Sequence, residues 1–363
     1  MTKAFVTGGT GFIGQRLVGK LVEQGAEVHA LVRSDKGAVG MQAMGAQPVW
    51  GDITDKETMR AGMAGCDVVF HLAAWYKLGA PDWRKAEQIN VEGTRNVLTL
   101  AAELGIPKII YVSTVAVYGD THGRLLDETA PRPSDPFLTE YDRTKSIAHF
   151  DVAESLIRQG APMIIAMPGV VYGPGDPSLV GDLMRGFYRG WFPIFPAPDL
   201  ALTLVHVDDV AEGLLVLAEK GRIGESYILT GPALKLGDLA RLWSEVLGRR
   251  PPVANIPARL LKPFAPLMAA IEQVVPLPQL FSRDAVAILD ATYFGRADKA
   301  RRELGWRTRS LPEGMRETFD SFAQANRPSL PEQDYRKRVA GLALGAAIGL
   351  LLAWLIGKRQ KPG

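Results

Sequence analysis

The sequence has few of the residues that build covalent or metal-bound frameworks. Its 363 residues include one cysteine, Cys66, which excludes an internal disulfide and a cysteine-based metal cage. The histidines are far apart, and no two stand at the spacing of metal ligands, so we expect no metal site. They are His29, His71, His122, His149 and His206.

Excess charge is also lacking. The 42 lysines and arginines are scattered among 39 aspartates and glutamates, which leaves a formal charge of +3. No basic surface is indicated, so we expect no nucleic-acid partner. The first apolar strand begins almost at once and leaves no room for a secretory signal, which predicts synthesis in the cytoplasm. The length suffices for a large core and two connected domains.

The most informative local motif is a glycine-rich turn, FVTGGTGFIG, over residues 5–14. It places Gly8, Gly11 and Gly14 between an apolar strand and a helical pattern that begins near Phe12. Glycines at such positions allow a tight turn, a close backbone approach to a pyrophosphate, and close packing of helix on sheet. The helix N-terminus then attracts the anion. The motif predicts a dinucleotide-phosphate site, and the alternative is a tight turn that binds nothing.

Short apolar runs alternate with amphipathic stretches from Met1 to about Val171. This pattern is typical of a doubly wound parallel sheet of the Rossmann type with helices on both faces. Later, TLVHVDDVAEGLLVLAEK and SYILTG indicate a return to the sheet. We therefore expect a dinucleotide-binding domain over 1–171 plus about 203–231, and a smaller substrate domain over 172–202 plus 232–327.

The stretch Ile256 to Phe281 is apolar but interrupted by five prolines, so it cannot form one membrane span. It predicts a lid over an apolar pocket or a surface that lies against a bilayer. Ordinary core packing is the alternative.

A candidate catalytic pair follows the fourth predicted strand region. Tyr141 and Lys145 in YDRTK share one helix face, and a nearby ammonium lowers the pKa of a phenol from about 10 toward the working range of an acid/base. Upstream, KIIYVST ends in Ser113 and Thr114, hydroxyls suited to a reacting carbonyl oxygen. Alone, a Tyr-x-x-x-Lys pair is common on exposed helices.

Taken together, these motifs resemble the extended short-chain dehydrogenase/reductase family, the NAD-dependent epimerase/dehydratase-like proteins, from Thr2 to about Phe322. The matching segments are TGGTGFIG, GDITD, HLAA, NVEGT, STVAVYG, YDRTK, PGVVYGPG, HVDDVAEG and DKARRELGW. The resemblance implies that Tyr141 is the general acid/base and that Lys145 is its electrostatic partner and a ribose ligand. It implies that Thr114 is the catalytic hydroxyl and Ser113 its structural neighbour, with Asn90 in a supporting role.

The resemblance also implies the cofactor contacts. The resemblance assigns the phosphates to the glycine-rich turn, the adenine to the GDITD segment, the middle of the cofactor to the HLAA segment, and the nicotinamide to the PGV segment. In that order, these residues are Gly8, Gly11, Phe12, Ile13 and Gly14; Asp52 and Ile53; Leu72, Ala73 and Ala74; Pro168, Gly169 and Val170.

The end of the second strand, VHALVRSDK, favours NADP(H) over NAD(H). NAD-binding members hold an acidic residue there, and its carboxylate would repel a 2′-phosphate. Here Val32 takes that position and Arg33 follows it, a guanidinium that matches phosphate geometry. Asp35 is the competing interpretation, although it lies three residues beyond the expected place.

Departures from the family pattern narrow the range of expected substrate classes. Dehydratases of nucleotide sugars have acidic residues directly after the catalytic threonine, and sugar-nucleotide members tend to carry Phe-Asn at the PGV segment. Here Val115 and Ala116 follow Thr114, and Pro168 and Gly169 replace Phe-Asn. The chain is most similar to the dihydroflavonol-reductase-like and 3β-hydroxysteroid-dehydrogenase-like branch. Its aromatic residues are predicted to line an apolar pocket or to pack in the core: Trp75, Tyr76, Trp83, Trp191 and Phe192.

These features predict an NADP(H)-dependent oxidoreductase that interconverts a carbonyl and an alcohol on a mostly apolar small molecule. Two alternatives stay open. One is a nucleotide-sugar epimerase with tightly held NAD(P), and the other is a non-catalytic NAD(P)-binding subunit.

One long hydrophobic run, 339–357, holds 19 residues without a charge. As a helix it spans roughly 28 Å, close to the hydrocarbon thickness of a bilayer. With the polar stretch 328–338 as a linker, it predicts a single-pass membrane anchor, and a buried C-terminal helix is the alternative. The flanking basic residues do not orient it, so we place the catalytic domain in the cytoplasm, where the cofactor is found. Gly341, Gly345 and Gly349 are spaced for helix pairing, which weakly favours a homodimer.

Overall fold

The computed structural model describes residues 2–76, 83–192, 194–272 and 282–325. The predicted linker 328–338 and the predicted anchor 339–357 lie outside the described residues. Contacts divide the chain into Met1–Phe319 and Asp320–Gly363, and only residues 320–325 of the second unit are described. No helix in the described ranges has the length and apolar character needed to cross a membrane.

The predicted parallel sheet is confirmed. Seven strands pair in parallel in the order β10-β6-β5-β4-β1-β2-β3. Because β1 lies between β2 and β4, the direction of strand succession reverses there, and such a switch point opens a crevice at the carboxyl ends of the strands. The strands are β1 Lys3–Thr7, β2 Glu27–Val32, β3 Gln47–Trp50, β4 Val68–His71, β5 Ile109–Val112, β6 Met163–Pro168 and β10 Ser226–Leu229.

Both faces of this sheet are buried. Alternate residues point to opposite faces, so Phe5 and Val69 join one core cluster, whereas Val6 and Phe70 join the other. Burial on both sides explains the continuous apolar strands of the sequence.

Helices cover both faces of the main sheet and form a large part of the remaining described chain. They are α1 Phe12–Glu23, α2 Asp35–Ala43, α3 Glu57–Met63, α4 Trp83–Glu87, α5 Thr94–Glu103, α6 Glu140–Ile147, α7 Glu154–Arg158, α8 Leu179–Tyr188, α9 Val207–Lys220, α10 Leu236–Leu247, α11 Ala258–Leu261, α12 Ala265–Glu272, α13 Arg283–Ala287, α14 Asp298–Leu304 and α15 Leu311–Ala325. Two predicted long helices each contain a π-helical stretch, Gln88–Gly93 between α4 and α5 and Ala148–Ala153 between α6 and α7.

A second sheet corrects one expectation. The predicted return to the main sheet is made by β10 alone, because β9 pairs with β7 in a separate four-stranded sheet. Only Gly169 separates β6 from β7, and a Cβ there would lie 2.5 Å from Thr203 O, so a glycine is required where the chain leaves the main sheet. The smaller sheets contain β7 Val170–Tyr172, β8 Ile194–Pro196, β9 Ala201–His206, β11 Ala233–Lys235, β12 Ala254–Ile256 and β13 Thr292–Tyr293.

Candidate active site

The glycine-rich turn lies between β1 and α1, at the switch point of the sheet. Gly8 has φ +74°, and a Cβ on it would lie 2.7 Å from Ala73 N; a Cβ on Gly14 would lie 2.1 Å from Gly8 O. Both positions therefore require glycine. A Cβ on Gly11 would meet only Gly8 O, at 3.1 Å, so the backbone there stays open to an approaching group.

The N-terminus of α1 suits an anion. Gly11 is its N-cap, no side chain caps it, and its first turn holds no acidic residue. The first N–H groups of a helix have no partner within the helix and carry partial positive charge. The open backbone at Gly11 and this uncapped end together fit the phosphates of a dinucleotide.

A cavity of about 390 Å³ extends from this turn to the second sheet. Most of the predicted cofactor residues line it: Gly8, Gly11, Phe12, Ile13, Gly14, Leu72, Ala74, Pro168, Gly169 and Val170. Aliphatic side chains form much of its remaining wall: Leu179, Val180, Leu183, Leu200, Leu202, Leu236 and Ile288. Of the aromatic residues predicted to line a pocket, Tyr76 is the one found among the described lining residues, and its ring meets that of Tyr141 edge-on, 4.9 Å between centroids.

The predicted catalytic side chains come together in this cavity. Tyr141 and Lys145 project from α6, whose N-terminus is capped by the Thr139 hydroxyl. Thr114 follows β5 and accepts a hydrogen bond from Ala116 N at 3.2 Å, which caps the 3₁₀ turn Val115–Tyr118. Local capping thus fixes the backbone on both sides of the site.

The Tyr141 phenol contradicts one expectation. Burial raises its pKa above the usual value, the Asp142 carboxylate adds to this rise, and only a hydrogen bond with Thr114 opposes it. The prediction that Lys145 lowers the pKa is wrong for this arrangement, because the Lys145 ammonium donates elsewhere, to Val112 O at 3.0 Å and Tyr111 Oη at 3.2 Å. The phenol is therefore protonated at neutral pH.

Lys145 is an uncommon residue to find so deeply buried. It is 2% exposed, and burial lowers the pKa of its ammonium to about 7. In the described part of the chain no carboxylate forms an ion pair with it; its hydrogen-bond partners are neutral oxygens and its ammonium lies 4.8 Å from the centroid of the Tyr111 ring. A buried cation of this kind favours a negative charge that develops or binds nearby.

Asn90 lies behind the cavity rather than in its described wall. Its amide oxygen accepts from Trp75 N at 2.6 Å, and its amide nitrogen donates to Trp75 O and to the Thr144 hydroxyl. These bonds tie the segment after β4 to α6. Ser113 also bonds inward, with its hydroxyl 2.9 Å from His149 Nδ1, although the residue borders the cavity.

The residues predicted for the adenine end lie at the carboxyl edge of β2 and β3. The Arg33 side chain is 66% exposed, with its guanidinium 3.4 Å from the Asp52 carboxylate. Burial raises the pKa of Asp52, but hydrogen bonds from Thr54 and the Arg33 charge outweigh burial and hold it below the usual value. Ile53 is buried against Gly93, where a Cβ would lie 2.6 Å from its side chain.

The sequence interpretation missed two acidic residues that line the cavity. Asp142 is 3% exposed and accepts from the Tyr293 hydroxyl at 2.9 Å, and burial raises the pKa of its carboxyl to about 7. Asp176, fully buried, lies between β7 and α8, and burial raises its pKa to about 6. The one available signal was that Asp142 stands next to the candidate acid/base and Asp176 within YGPGDP.

One cluster among the described residues has the geometry of metal ligands. Atoms of His206, Asp208 and Glu317 lie within 4.8 Å of one another, although their sequence spacing had not suggested it. Arginines already pair with both carboxylates: Arg309 Nη1 is 2.5 Å from Glu317, and Arg16 Nε is 3.4 Å from Asp208. Two arginine side chains therefore supply positive charge next to the carboxylates of this cluster.

Fold and site define an NAD(P)-dependent oxidoreductase of the extended short-chain dehydrogenase/reductase type, and comparison with known proteins agrees. The model of the NAD dependent epimerase/dehydratase family matches residues 4–229, so the chain belongs to that family. It is 34% identical to the 4-hydroxy-2-methyl-3-oxo-4-farnesyl-3,4-dihydroquinoline-1-oxide ketoreductase of Stigmatella aurantiaca, over 91% of this chain and 99% of that protein.

Other relatives point the same way. A putative dihydroflavonol 4-reductase from Synechocystis sp. is 31% identical, over 88% of this chain and 94% of that protein. The crystal structure of gox2253 matches with a TM-score of 0.77 and 34% identity, over 90% of this chain and 99% of that one. A UDP-glucose 4-epimerase from Thermotoga maritima, 24% identical with a TM-score of 0.70 over 89% of this chain and 99% of its own, shares the fold.

Proposed function

We propose that this protein is an NADP(H)-dependent oxidoreductase that interconverts a ketone and a secondary alcohol on a mostly apolar small molecule. The observation that carries the proposal is that the Tyr141 phenol lies with Thr114 in a largely aliphatic cavity that reaches the glycine-rich turn.

A bound nicotinamide supplies the hydride that reduces the carbonyl carbon. Tyr141 gives its phenolic proton to the carbonyl oxygen, and the Thr114 hydroxyl donates a hydrogen bond to the same oxygen. The phenolate that remains takes a proton back from solvent, and Lys145, whose ammonium donates to Val112 O and Tyr111 Oη, would bind the cofactor ribose.

The wall of the cavity supports an apolar substrate. Its far end is lined by leucines. Val115 and Ala116 stand where dehydratases have acidic residues, and Gly169 stands where sugar-nucleotide members tend to have an asparagine. The ketoreductase relative from Stigmatella aurantiaca has a farnesylated ketone in its name. We infer that the substrate is a ketone with an extended hydrocarbon portion.

The preference for NADP(H) rests on Arg33. Its guanidinium stands exposed at the carboxyl end of β2, where the 2′-substituent of a cofactor bound at the glycine-rich turn would lie. Its carboxylate neighbour Asp52 lies 3.4 Å away, and a bound phosphate would compete with it for the same guanidinium.

Membrane attachment forms part of the proposal. The run 339–357 would hold the catalytic domain on the cytoplasmic side of a bilayer, and its glycine row is compatible with a homodimer. An enzyme held there meets lipid-dissolved ketones at high local concentration, which suits the aliphatic cavity.

The function is tested by NADPH oxidation with sterol-like, flavonoid-like and isoprenoid ketones, beside a panel of UDP- and GDP-sugars. Turnover of a ketone by the wild type, and its loss in Tyr141→Phe, is the expected result. Isomerisation of a nucleotide sugar without net NADPH consumption would replace the proposal with an epimerase. If Tyr141→Phe retains full biological function, the protein is a non-catalytic subunit.

A further inference from the structure

Asp176 has a carboxylate oxygen that the fold leaves without a partner. The residue is fully buried between β7 and α8 and lines the cavity. Its Oδ1 accepts from Ser178 N at 2.7 Å. Its Oδ2 is buried and makes no hydrogen bond to any described residue. A buried acceptor without a donor is costly and uncommon.

The described residues around Asp176 fix the position of its carboxylate but donate no hydrogen bond to Oδ2. A Cβ on Gly181 would lie 2.8 Å from Asp176 Cγ, so the side chain is packed against the first turn of α8. Arg185 donates to the Asp176 main-chain oxygen at 2.6 Å and to the Asp182 carboxylate at 2.5 Å. Through these two bonds the guanidinium orders the turn.

The second acid of the cavity is different. Asp142 Oδ2 already accepts from the Tyr293 hydroxyl. Of the lining residues on α8 next to Asp176, Leu179, Val180 and Leu183 have no side-chain donor. Burial raises the pKa of Asp176, and the hydroxyl of Ser178 is near enough to oppose this rise, but Oδ2 has no hydrogen-bond partner among the described residues. A molecule that occupies the cavity would supply the donor.

We propose that Asp176 Oδ2 accepts a hydrogen bond from a hydroxyl group of the substrate, distinct from the carbonyl that Tyr141 and Thr114 contact. The substrate class is thereby narrowed to hydroxylated ketones. This inference rests on the proposed function, because it uses the same cavity. Asp176 is a specificity-determining residue, and it takes no part in proton transfer to the carbonyl.

The test uses sets of three ketones that differ at one position, which carries a hydroxyl, a methyl ether or hydrogen. One compact set is 7-hydroxychroman-4-one, 7-methoxychroman-4-one and chroman-4-one. One long set is 17β-hydroxy-5α-androstan-3-one, its 17-methyl ether and 5α-androstan-3-one. The ether keeps an acceptor but has no donor, so the hydroxyl-to-ether ratio of kcat/KM reports the proposed bond.

The wild type is expected to prefer the hydroxyl member of the fitting set by about tenfold or more. Asp176→Asn keeps the shape and the bond from Ser178 N but turns an N–H₂ group toward the cavity, so this preference is lost through KM. Asp151→Asn is the control. It removes one negative charge at a side chain that is 47% exposed and pairs with Arg132 rather than Arg185, and it retains the preference.

Calorimetry measures binding of the same ketones to the enzyme–NADP⁺ complex. Because binding does not require turnover, this measurement tests the Asp176 subsite independently of the proposed reaction. If the hydroxyl members bind more tightly than the ethers but no ketone is reduced, the subsite stands and the reaction is wrong. If ketones are reduced with equal hydroxyl and ether constants in both sets, or if Asp176→Asn keeps the preference, the inference is overturned. If Asp176→Asn does not fold, the hydroxyl-to-ether ratios of kcat/KM in the wild type alone test the inference.

Discussion

Replacing Asp142 by asparagine is expected to stabilise the protein at high pH and to change little at low pH. The folded-state pKa of this carboxyl is raised to about 7 by burial, whereas an aspartate in an unfolded chain titrates at about 3.9. The raised pKa means that folding favours the protonated carboxyl. The stabilisation that the protonated carboxyl gives to the folded state is fully present below about pH 4 and is lost as the pH rises to about 7.

The size of the effect follows from proton linkage. A difference of about three pKa units corresponds to about 4 kcal/mol of unfolding free energy, on the order of the largest effect that a single site can show. Asparagine imitates the protonated acid and can still accept from the Tyr293 hydroxyl, which lies 2.9 Å from Asp142 Oδ2. The advantage of Asp142→Asn over the wild type should grow between pH 4 and 7 and then stay constant.

Equilibrium urea unfolding at intervals from pH 4 to 9 measures this difference directly. Asp151→Asn removes the same charge at an exposed position, 47% accessible, and corrects for the altered net charge. A difference between Asp142→Asn and wild type that is equal at pH 4 and pH 9 would refute the reasoning, because it would show that burial does not move this carboxyl's pKa.

Four further outcomes are expected. Tyr141→Phe lowers kcat by about 10²- to 10⁴-fold while the affinity for the cofactor, measured by fluorescence titration, is retained. Arg33→Glu raises the Kd for NADPH more than that for NADH, and tighter binding of NADH by the wild type would contradict the NADP assignment. Gly14→Ala abolishes cofactor binding, because its Cβ would lie 2.1 Å from Gly8 O. Deletion of 339–363 moves the protein from the membrane to the soluble fraction, and an unchanged partition would disprove the anchor.

The main sheet and the cofactor turn could be predicted because their signals are local. Strands buried on both faces read as continuous apolar runs, and the glycines of residues 8–14 stand together in one short motif. β3 was missed since Gln47–Trp50 is a short edge strand with no fully buried residue. α2 was missed because Asp35–Ala43 contains two glycines and has few buried side chains.

The electrostatics of the site could not be predicted, because they depend on burial and on contacts between distant elements. The spacing of Tyr141 and Lys145 places both on one face of α6, but it does not say that the ammonium reaches back to β5, at Val112 O. Nor does spacing show that β13 brings Tyr293 to Asp142 across 151 residues of chain. The consequence is chemical: a lysine beside an exposed tyrosine would lower the pKa of the phenol, whereas burial in this arrangement raises it.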